Sequence, residues 1–224
     1  QSAIFPFVKH ESADIIIVGG GVLGLSLAYH LSRTSGRIFV LENETVFGAH
    51  ASGKNAGMIR QLYRHPRLTE WTKRSIEAWP EELRRKHFQK TGSLIVGRSV
   101  PDHHQGLFQQ TVSHSHSNQE LPAIFTENDG LLDSPGYVQD LALLCKQQGV
   151  ELRNRAQVEY VDRGSDRWRV YLRSGETYSS MILVNAAGAW LNSFLNPVLQ
   201  VPTQAFARHL FLVEGWPENY MPER

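Results

Sequence analysis

Gly19, Gly21 and Gly24 stand at the spacing G-x-G-x-x-G, and an acidic side chain, Glu42, follows about 20 residues on. Each glycine has its own physical job. The first permits a tight turn out of a strand, the second lets the backbone approach a diphosphate, and the third lets a helix pack closely on the strand. The amides that open the helix then face the anion. A carboxylate at Glu42 suits the hydroxyls of an unphosphorylated ribose, which disfavours a 2′-phosphate. The chemistry indicated is dinucleotide binding.

Other residues extend that chemistry. Residues 47–60, FGAHASGKNAGMIR, are rich in Gly, Ala, Ser and Asn and have neither helical nor strand periodicity. They read as a loop whose backbone comes close to a flat ligand, with Ser52, Lys54 and Asn55 as donors to phosphate or hydroxyl oxygens. A second run of small residues, Ala186, Ala187 and Gly188 before Trp190, implies another close approach. His103, His104, His114 and His116 lie in a polar stretch without cysteine or carboxylate at ligand spacing. They read as exposed histidines, and no metal site is expected. Cys145, on an apolar helical stretch, reads as a packed core thiol.

These residues need elements to position them. Ile15–Val18 is a short β-branched run, Val22–Leu31 repeats its apolar residues at helical spacing, and Ile38–Leu41 is a second strand. Residues 1–13 read as an extended entry segment. Leu68, Trp71, Ile76, Trp79, Leu83 and Phe88 predict a helix over 68–90 that Pro80 kinks or splits, ended by Gly92, with a strand at 93–97. Residues 102–121 read as partly helical. After DGLLD at 129–133, a helix over 134–148 leads through Gly149 into a strand reaching Leu152. VEYVDR, RWRVYLRSG and TYSSMILVNAAG read as strands, the last as a buried parallel one. Near the end HLFLVEG reads as a strand-like run.

Composition is ordinary for a globular chain with a sizeable core: 224 residues, 41% hydrophobic and 20% charged. The net charge of +1 argues against nucleic acid as a partner. A single cysteine excludes intramolecular disulfides and favours a reducing compartment, the cytoplasm or mitochondrial matrix. No apolar run reaches the roughly 20 residues that span a bilayer.

The order of DIIIVGGGVLGLSLAYHL, the strand ending at Glu42, ASGKNAGMIR, DGLLD, the helix before GVEL, and ILVNAAGAW resembles the FAD-dependent amine and amino-acid oxidoreductases. These include D-amino-acid oxidase, glycine oxidase, sarcosine oxidase and dimethylglycine dehydrogenase. The resemblance runs from Asp14 to His209 and implies an α/β fold: a Rossmann-like FAD-binding domain interleaved with part of an α+β substrate domain. The expected segments are 11–90 and 129–195 for FAD, with 91–128 and 196–224 for substrate. Members of such families are longer, so the chain reads as truncated at its C-terminus.

The resemblance also implies roles. Gly19, Gly21 and Gly24 would hold the pyrophosphate and Glu42 the adenosine ribose, with Val22, Leu23 and Asn43 as adjacent cofactor-binding positions. Ala51, Ser52, Lys54, Asn55, Ala56, Gly57 and Met58 would run past the pyrophosphate towards the isoalloxazine. Val158 would contact the adenine, and Ala187, Gly188 and Trp190 would close over the cofactor. His50 falls near where some relatives attach flavin covalently, although its surroundings do not match that pattern. Arg60 and Tyr63 are candidates for the substrate side, since an arginine can hold a carboxylate bidentately; a structural ion pair is the competing role for Arg60. The expected activity is oxidation of the C–N bond of an amino acid or N-methyl amino acid by hydride transfer to flavin N5. The electron acceptor, oxygen or a protein, stays open. The rival is an assembly factor of the same fold that binds FAD without amine turnover.

Overall fold

The computed structural model of the chain describes residues 10–33, 36–63, 65–96, 109–113 and 120–210. In chain order it begins with β1 (His10–Val18), α1 (Val22–Leu31), β2 (Ile38–Leu41), β3 (Met58–Ile59), α2 (Pro66–Glu77) and α3 (Glu81–His87). There follow β4 (Phe88–Lys90), β5 (Ser93–Val96), β6 (Gln109–Ser113), β7 (Glu120–Thr126) and β8 (Gly130–Leu132). The last elements are α4 (Ser134–Gln147), β9 (Glu151–Arg153), β10 (Val158–Arg163), β11 (Trp168–Leu172) and β12 (Thr177–Asn185), then short 3-10 turns at Gly188–Trp190 and Pro197–Leu199. Two compact units emerge: Gln1–Lys54 with Ser134–Ala207, and Asn55–Asp133 with Arg208–Arg224.

The first unit is built on a six-stranded sheet ordered β10-β11-β12-β1-β2-β9. Its β12, β1, β2 and β9 run parallel, whereas β10 and β11 form an antiparallel extension. Every residue of β2 is buried, as expected for a parallel strand covered on both faces. Ile16, Val18, Phe39 and Leu41 enter one core cluster with Val161, Val170, Leu172 and Tyr178 of the antiparallel strands and their neighbour. Helix α1 buries Leu25, Ala28 and Tyr29, and α4 buries Tyr137, Val138, Leu141, Ala142 and Cys145. Their boundaries follow the predicted spacing closely. Strand β1 starts at His10, so the end of the expected entry segment is already in the sheet.

The Cys145 thiol donates to the Leu25 carbonyl at 3.3 Å, and burial pushes its pKa up to about 12. Its reactivity follows from that, because the thiolate is the nucleophile. A colorimetric disulfide reagent should find no reactive thiol in the native chain and one after denaturation. Release of one equivalent from the native chain would contradict this packing.

The buried parallel strand expected over TYSSMILVN is only partly buried. Tyr178, Ser179 and Ser180 are covered, but Met181 and Ile182 are each 52% exposed. The reason lies in the helices: α1 packs on β1 and β2, and α4 on β9, leaving the far half of β12 outside their cover.

In the second unit the helix expected over 68–90 is split, with Pro80 at the N-cap of α3. Its first half begins earlier, because Pro66 occupies a first-turn position and the His65 ring accepts the Arg67 N–H at 3.2 Å. Residues 88–90 are strand rather than helix, since β4 pairs with β8, which also pairs with the two-residue β3 inside the expected irregular loop. The helical reading of 102–121 is corrected where the residues are described: 109–113 form β6, paired with β7 in the sheet β5-β7-β6. Cross-strand pairing overrides weak local preference there. His103, His104, His114 and His116 lie outside the described residues. So does most of HLFLVEG, of which His209 and Leu210 have no regular structure.

The first compact unit parts from the second after Lys54, so α2 and α3 fall in the second. Helix α3 runs straight into β4, Trp79 packs edge-on against Phe88 at 5.9 Å, and the Asp133 N–H donates to the His87 carbonyl at 2.9 Å. Those contacts join the helices to the second unit.

Candidate functional site

Strand β1 lies between β12 and β2, so the chain order switches direction at its carboxyl end, where open α/β sheets form ligand crevices. Val18, Leu41 and Asn185 end the three strands in register. The glycine turn is tied into this end: the Gly19 N–H donates to the Leu41 carbonyl and the Ala186 N–H to the Val18 carbonyl, both at 2.8 Å. At Gly19 φ is +111°, and a Cβ would lie 2.4 Å from the Ala186 carbonyl oxygen. A Cβ on Gly24 would lie 2.0 Å from the Gly19 carbonyl oxygen. Strand, turn and helix touch through bare backbone.

Helix α1 has no acidic side chain in its first turn and no side-chain cap from Gly21. Instead the Ser52 hydroxyl accepts the Val22 N–H at 2.9 Å, bringing the Ala51–Lys54 segment to the helix start. The first amides of a helix have no intrahelical partner, and Leu23 is 72% exposed, so this positive end is open to an anion. Ser52→Ala should lower stability by about 1 kcal/mol, the usual worth of an N-terminal capping hydroxyl, with Thr restoring it. Urea midpoints of the three chains check this; an unchanged midpoint in the Ala chain would show that the hydroxyl caps nothing.

Glu42 ends β2. One carboxylate oxygen accepts the Gly20 N–H at 2.7 Å and the other the Glu44 N–H at 2.9 Å. The carboxylate therefore braces the glycine turn, while each oxygen keeps a further lone pair for a ribose hydroxyl. Asn43 is exposed beside it and donates to Glu44 at 3.2 Å. The Ala156 N–H donates to the Glu42 carbonyl at 2.7 Å, which ties the approach to Val158 and β10 to the same region.

Across the cradle, the Ala187 N–H is held by the Asn185 side chain at 3.2 Å. Gly188 has φ +57° and faces space in which a Cβ would meet nothing within 4 Å. His50 bonds Glu44 at 3.1 Å and lies 4.4 Å from the half-exposed Trp190 ring. The Lys54 N–H donates to the His50 carbonyl at 2.9 Å and its side chain is exposed. Gly20, Glu44 and Asn185 were missed by sequence reasoning; their contributions are a backbone amide and local braces that carry no spacing signal.

The remaining candidates lie in the second unit. The Asn55 side chain accepts the Gly57 N–H at 2.8 Å, Ala56 is exposed, and Gly57, with φ +65°, accepts the Leu132 N–H at 2.7 Å. Met58 stands opposite Leu131 on the β3–β8 pair. Arg60 is exposed and forms no ion pair with a described residue, although its charge acts on the buried Asp129 carboxyl. Tyr63 is half-buried, its backbone bonded through both N–H and C=O to the Thr69 hydroxyl at 3.1 and 3.2 Å.

Asp129, which sequence reasoning passed over inside DGLLD, is fully buried. It accepts the Gln61 N–H at 2.9 Å and the Ser93 hydroxyl at 2.5 Å. Burial holds its carboxyl above the ordinary value of 3.8, against the lowering effects of Ser93, Gln61 and the nearby Arg60 charge. The native chain thus binds this proton more tightly than the unfolded chain does. Its contribution to stability is greatest at low pH, falls as pH rises through the raised pKa, and levels off above it. Asp129→Asn should abolish that slope. Urea midpoints of both chains across the acid range check this, and parallel curves would refute it.

The family model described as FAD dependent oxidoreductase matches residues 14–224. The chain belongs to that family. Its dinucleotide is FAD rather than a nicotinamide dinucleotide, and the cradle fits: bare glycines at an open helix start, an acid at the end of β2 and open space over Gly188. Among relatives of this FAD-dependent family, monomeric sarcosine oxidase from Bacillus sp. is 25% identical over 92% of this chain and 59% of its own length. The mitochondrial dimethylglycine dehydrogenase from Rattus norvegicus is 25% identical over 80% of this chain and 24% of its own. The solved glycine oxidase from Geobacillus kaustophilus superposes with a TM-score of 0.70 at 21% identity, covering 82% of this chain and 57% of that one. The chain thus spans little more than half the length of the sarcosine oxidase it matches.

Proposed function

We propose that this chain is the FAD-binding part, with a portion of the substrate side, of an oxidoreductase acting on the C–N bond of an amino acid or N-methyl amino acid. The observation that carries it is the cradle at the carboxyl ends of β1, β2 and β12, in a chain whose family is FAD-dependent. Sarcosine oxidase and glycine oxidase among its similar proteins support the substrate class. When bound, FAD would supply the two-electron acceptor for a hydride from a carbon beside the substrate nitrogen, with hydrolysis of the resulting imine by water completing the oxidation.

The chain's own residues bind and orient. Gly19, Gly21, Val22, Leu23 and Gly24 hold the pyrophosphate at the start of α1, Glu42 and Asn43 hold the ribose, and Val158 borders the adenine. Ala51, Ser52 and Lys54, followed by Asn55, Ala56, Gly57 and Met58, line the path to the flavin ring, and Ala187, Gly188 and Trp190 close the cradle. Arg60 takes the substrate carboxylate, with Tyr63 beside it. The first compact unit is the FAD domain and the second the substrate domain. No helix among the described residues is long and apolar enough to cross a membrane. A reducing compartment, cytoplasm or mitochondrial matrix, suits the single cysteine.

The test is an absorption spectrum of the purified protein, followed by anaerobic addition of sarcosine, glycine and proline. Flavin bands that bleach with one of them support the reading, and peroxide release on admitting air would assign oxygen as acceptor. Flavin bands that none of them bleaches would overturn the activity and favour the assembly-factor role.

A further inference from the structure

Residues 60–63 connect β3 to α2 and belong to no strand or helix, yet their backbone groups are held by side chains from elsewhere. At one end Asp129 accepts the Gln61 N–H at 2.9 Å, and the Asn128 carbonyl accepts from the Gln61 side chain at 2.8 Å. At the other the Thr69 hydroxyl both accepts the Tyr63 N–H and donates to the Tyr63 carbonyl. Leu62 is buried between them. The two holding groups are themselves interior, Asp129 at 0% exposure and Thr69 at 8%.

We propose that Asp129 and Thr69 are positioning residues that fix the Arg60–Tyr63 segment as a rigid platform for the substrate carboxylate. The inference rests on the substrate-side role proposed above for Arg60. Burying a carboxylate is unfavourable unless its hydrogen bonds compensate, and a loop needing only cover would be held more cheaply by apolar packing. What the two polar contacts add is location. Asp129 is also anchored through its carbonyl, which accepts the Thr91 and Gly92 N–H groups at 3.2 and 2.9 Å, and through Ser93 on its side chain. The turn before β5 and the loop before β8 therefore set where residue 61 stands, directly beside Arg60. Thr69 sits in α2, whose start is fixed by the His65 cap, so the helix sets where Tyr63 stands. A guanidinium that holds a small carboxylate by two parallel bonds tolerates little displacement of its backbone.

The test uses the FAD-loaded chain and methoxyacetate, a carboxylate shaped like sarcosine but with no amine to oxidise, titrated by its perturbation of the flavin visible band. Thr69→Val and Asp129→Ala should each weaken methoxyacetate by about 10-fold or more, since small misplacements of binding groups have effects on that scale. Thr69→Ser, which keeps both Thr69 bonds, and Asp129→Asn, whose oxygen still accepts the Gln61 N–H while its NH2 donates to the Ser93 hydroxyl, should restore it, and FAD affinity should not change. Amide exchange should accelerate at Tyr63 in Thr69→Val and at Gln61 in Asp129→Ala, with or without FAD.

Faster exchange without weaker methoxyacetate binding, in a background where Arg60→Ala does weaken it, would overturn the positioning role and leave the Arg60 reading standing. Methoxyacetate binding that survives Arg60→Ala, or is absent from the parent chain, would overturn the Arg60 reading and this inference with it. If Asp129→Ala fails to fold, the Thr69 pair decides alone.

Discussion

A Gly24→Ala chain should be purified colourless, its FAD affinity reduced by about 100-fold or more. The added Cβ would stand 2.0 Å from the Gly19 carbonyl oxygen, which is backbone and cannot swing aside. Relief requires α1 to move away from the end of β1, and overpacking of this kind typically costs about 1–3 kcal/mol, of which 1.4 kcal/mol already corresponds to a factor of ten. The movement also displaces the Val22 N–H from Ser52 and turns the open helix start away from the pyrophosphate. Gly175→Ala separates this from simple loss of glycine. Gly175 also has a left-handed backbone, φ +91°, but a Cβ there would meet nothing within 4 Å. That chain should lose about 1 kcal/mol of stability to backbone strain and keep its colour. Fluorescence titration with FAD measures both. A Gly24→Ala chain that binds FAD as the parent does would show that the close contact of helix and strand is not what shapes the cradle.

Arg60→Ala should raise KM for the amino-acid substrate by about 100-fold, with FAD binding and thermal stability essentially unchanged. Removing one partner of a charge pair in a binding site typically costs about 2–5 kcal/mol, and the exposure of Arg60 places it towards the lower part of that range. The separation from stability follows from its lack of an ion pair with any described residue: all that the substitution removes from the fold is the field of Arg60 on the Asp129 carboxyl. Steady-state kinetics on the parent and variant, with calorimetry beside them, decide the matter. A fall in melting temperature with KM unchanged would assign Arg60 to structure.

Much of the cradle was legible in the residues because it is local. The jobs of Gly19, Gly21 and Gly24 depend on neighbours within one strand–turn–helix unit, so their spacing carries the information, and Glu42 follows as the end of the next strand. Helix α4 and strands β10 to β12 were legible for the same reason, each declared by its own periodicity and its bounding glycines. The misread stretches were those whose state is chosen by a distant partner. Residues 109–113 are polar and lack any strand pattern, but β7 offers them a ladder. Phe88–Lys90 continues a helical pattern, but β8 draws it into a sheet.

By itself, then, the sequence determined the strand, glycine turn and helix at Ile15–Leu31, the α/β class and a resemblance that family membership bears out. Tertiary structure alone decided that Glu42 braces Gly20, that Ser52 caps α1, and that Asp129 and Thr69 hold the Arg60–Tyr63 segment. The physical reason is reach. A helix or turn is stabilised by residues a few positions apart, which leaves a periodic imprint on the chain. The bond from Gln61 to Asp129 spans 68 positions, and no periodicity records which buried polar group meets which amide.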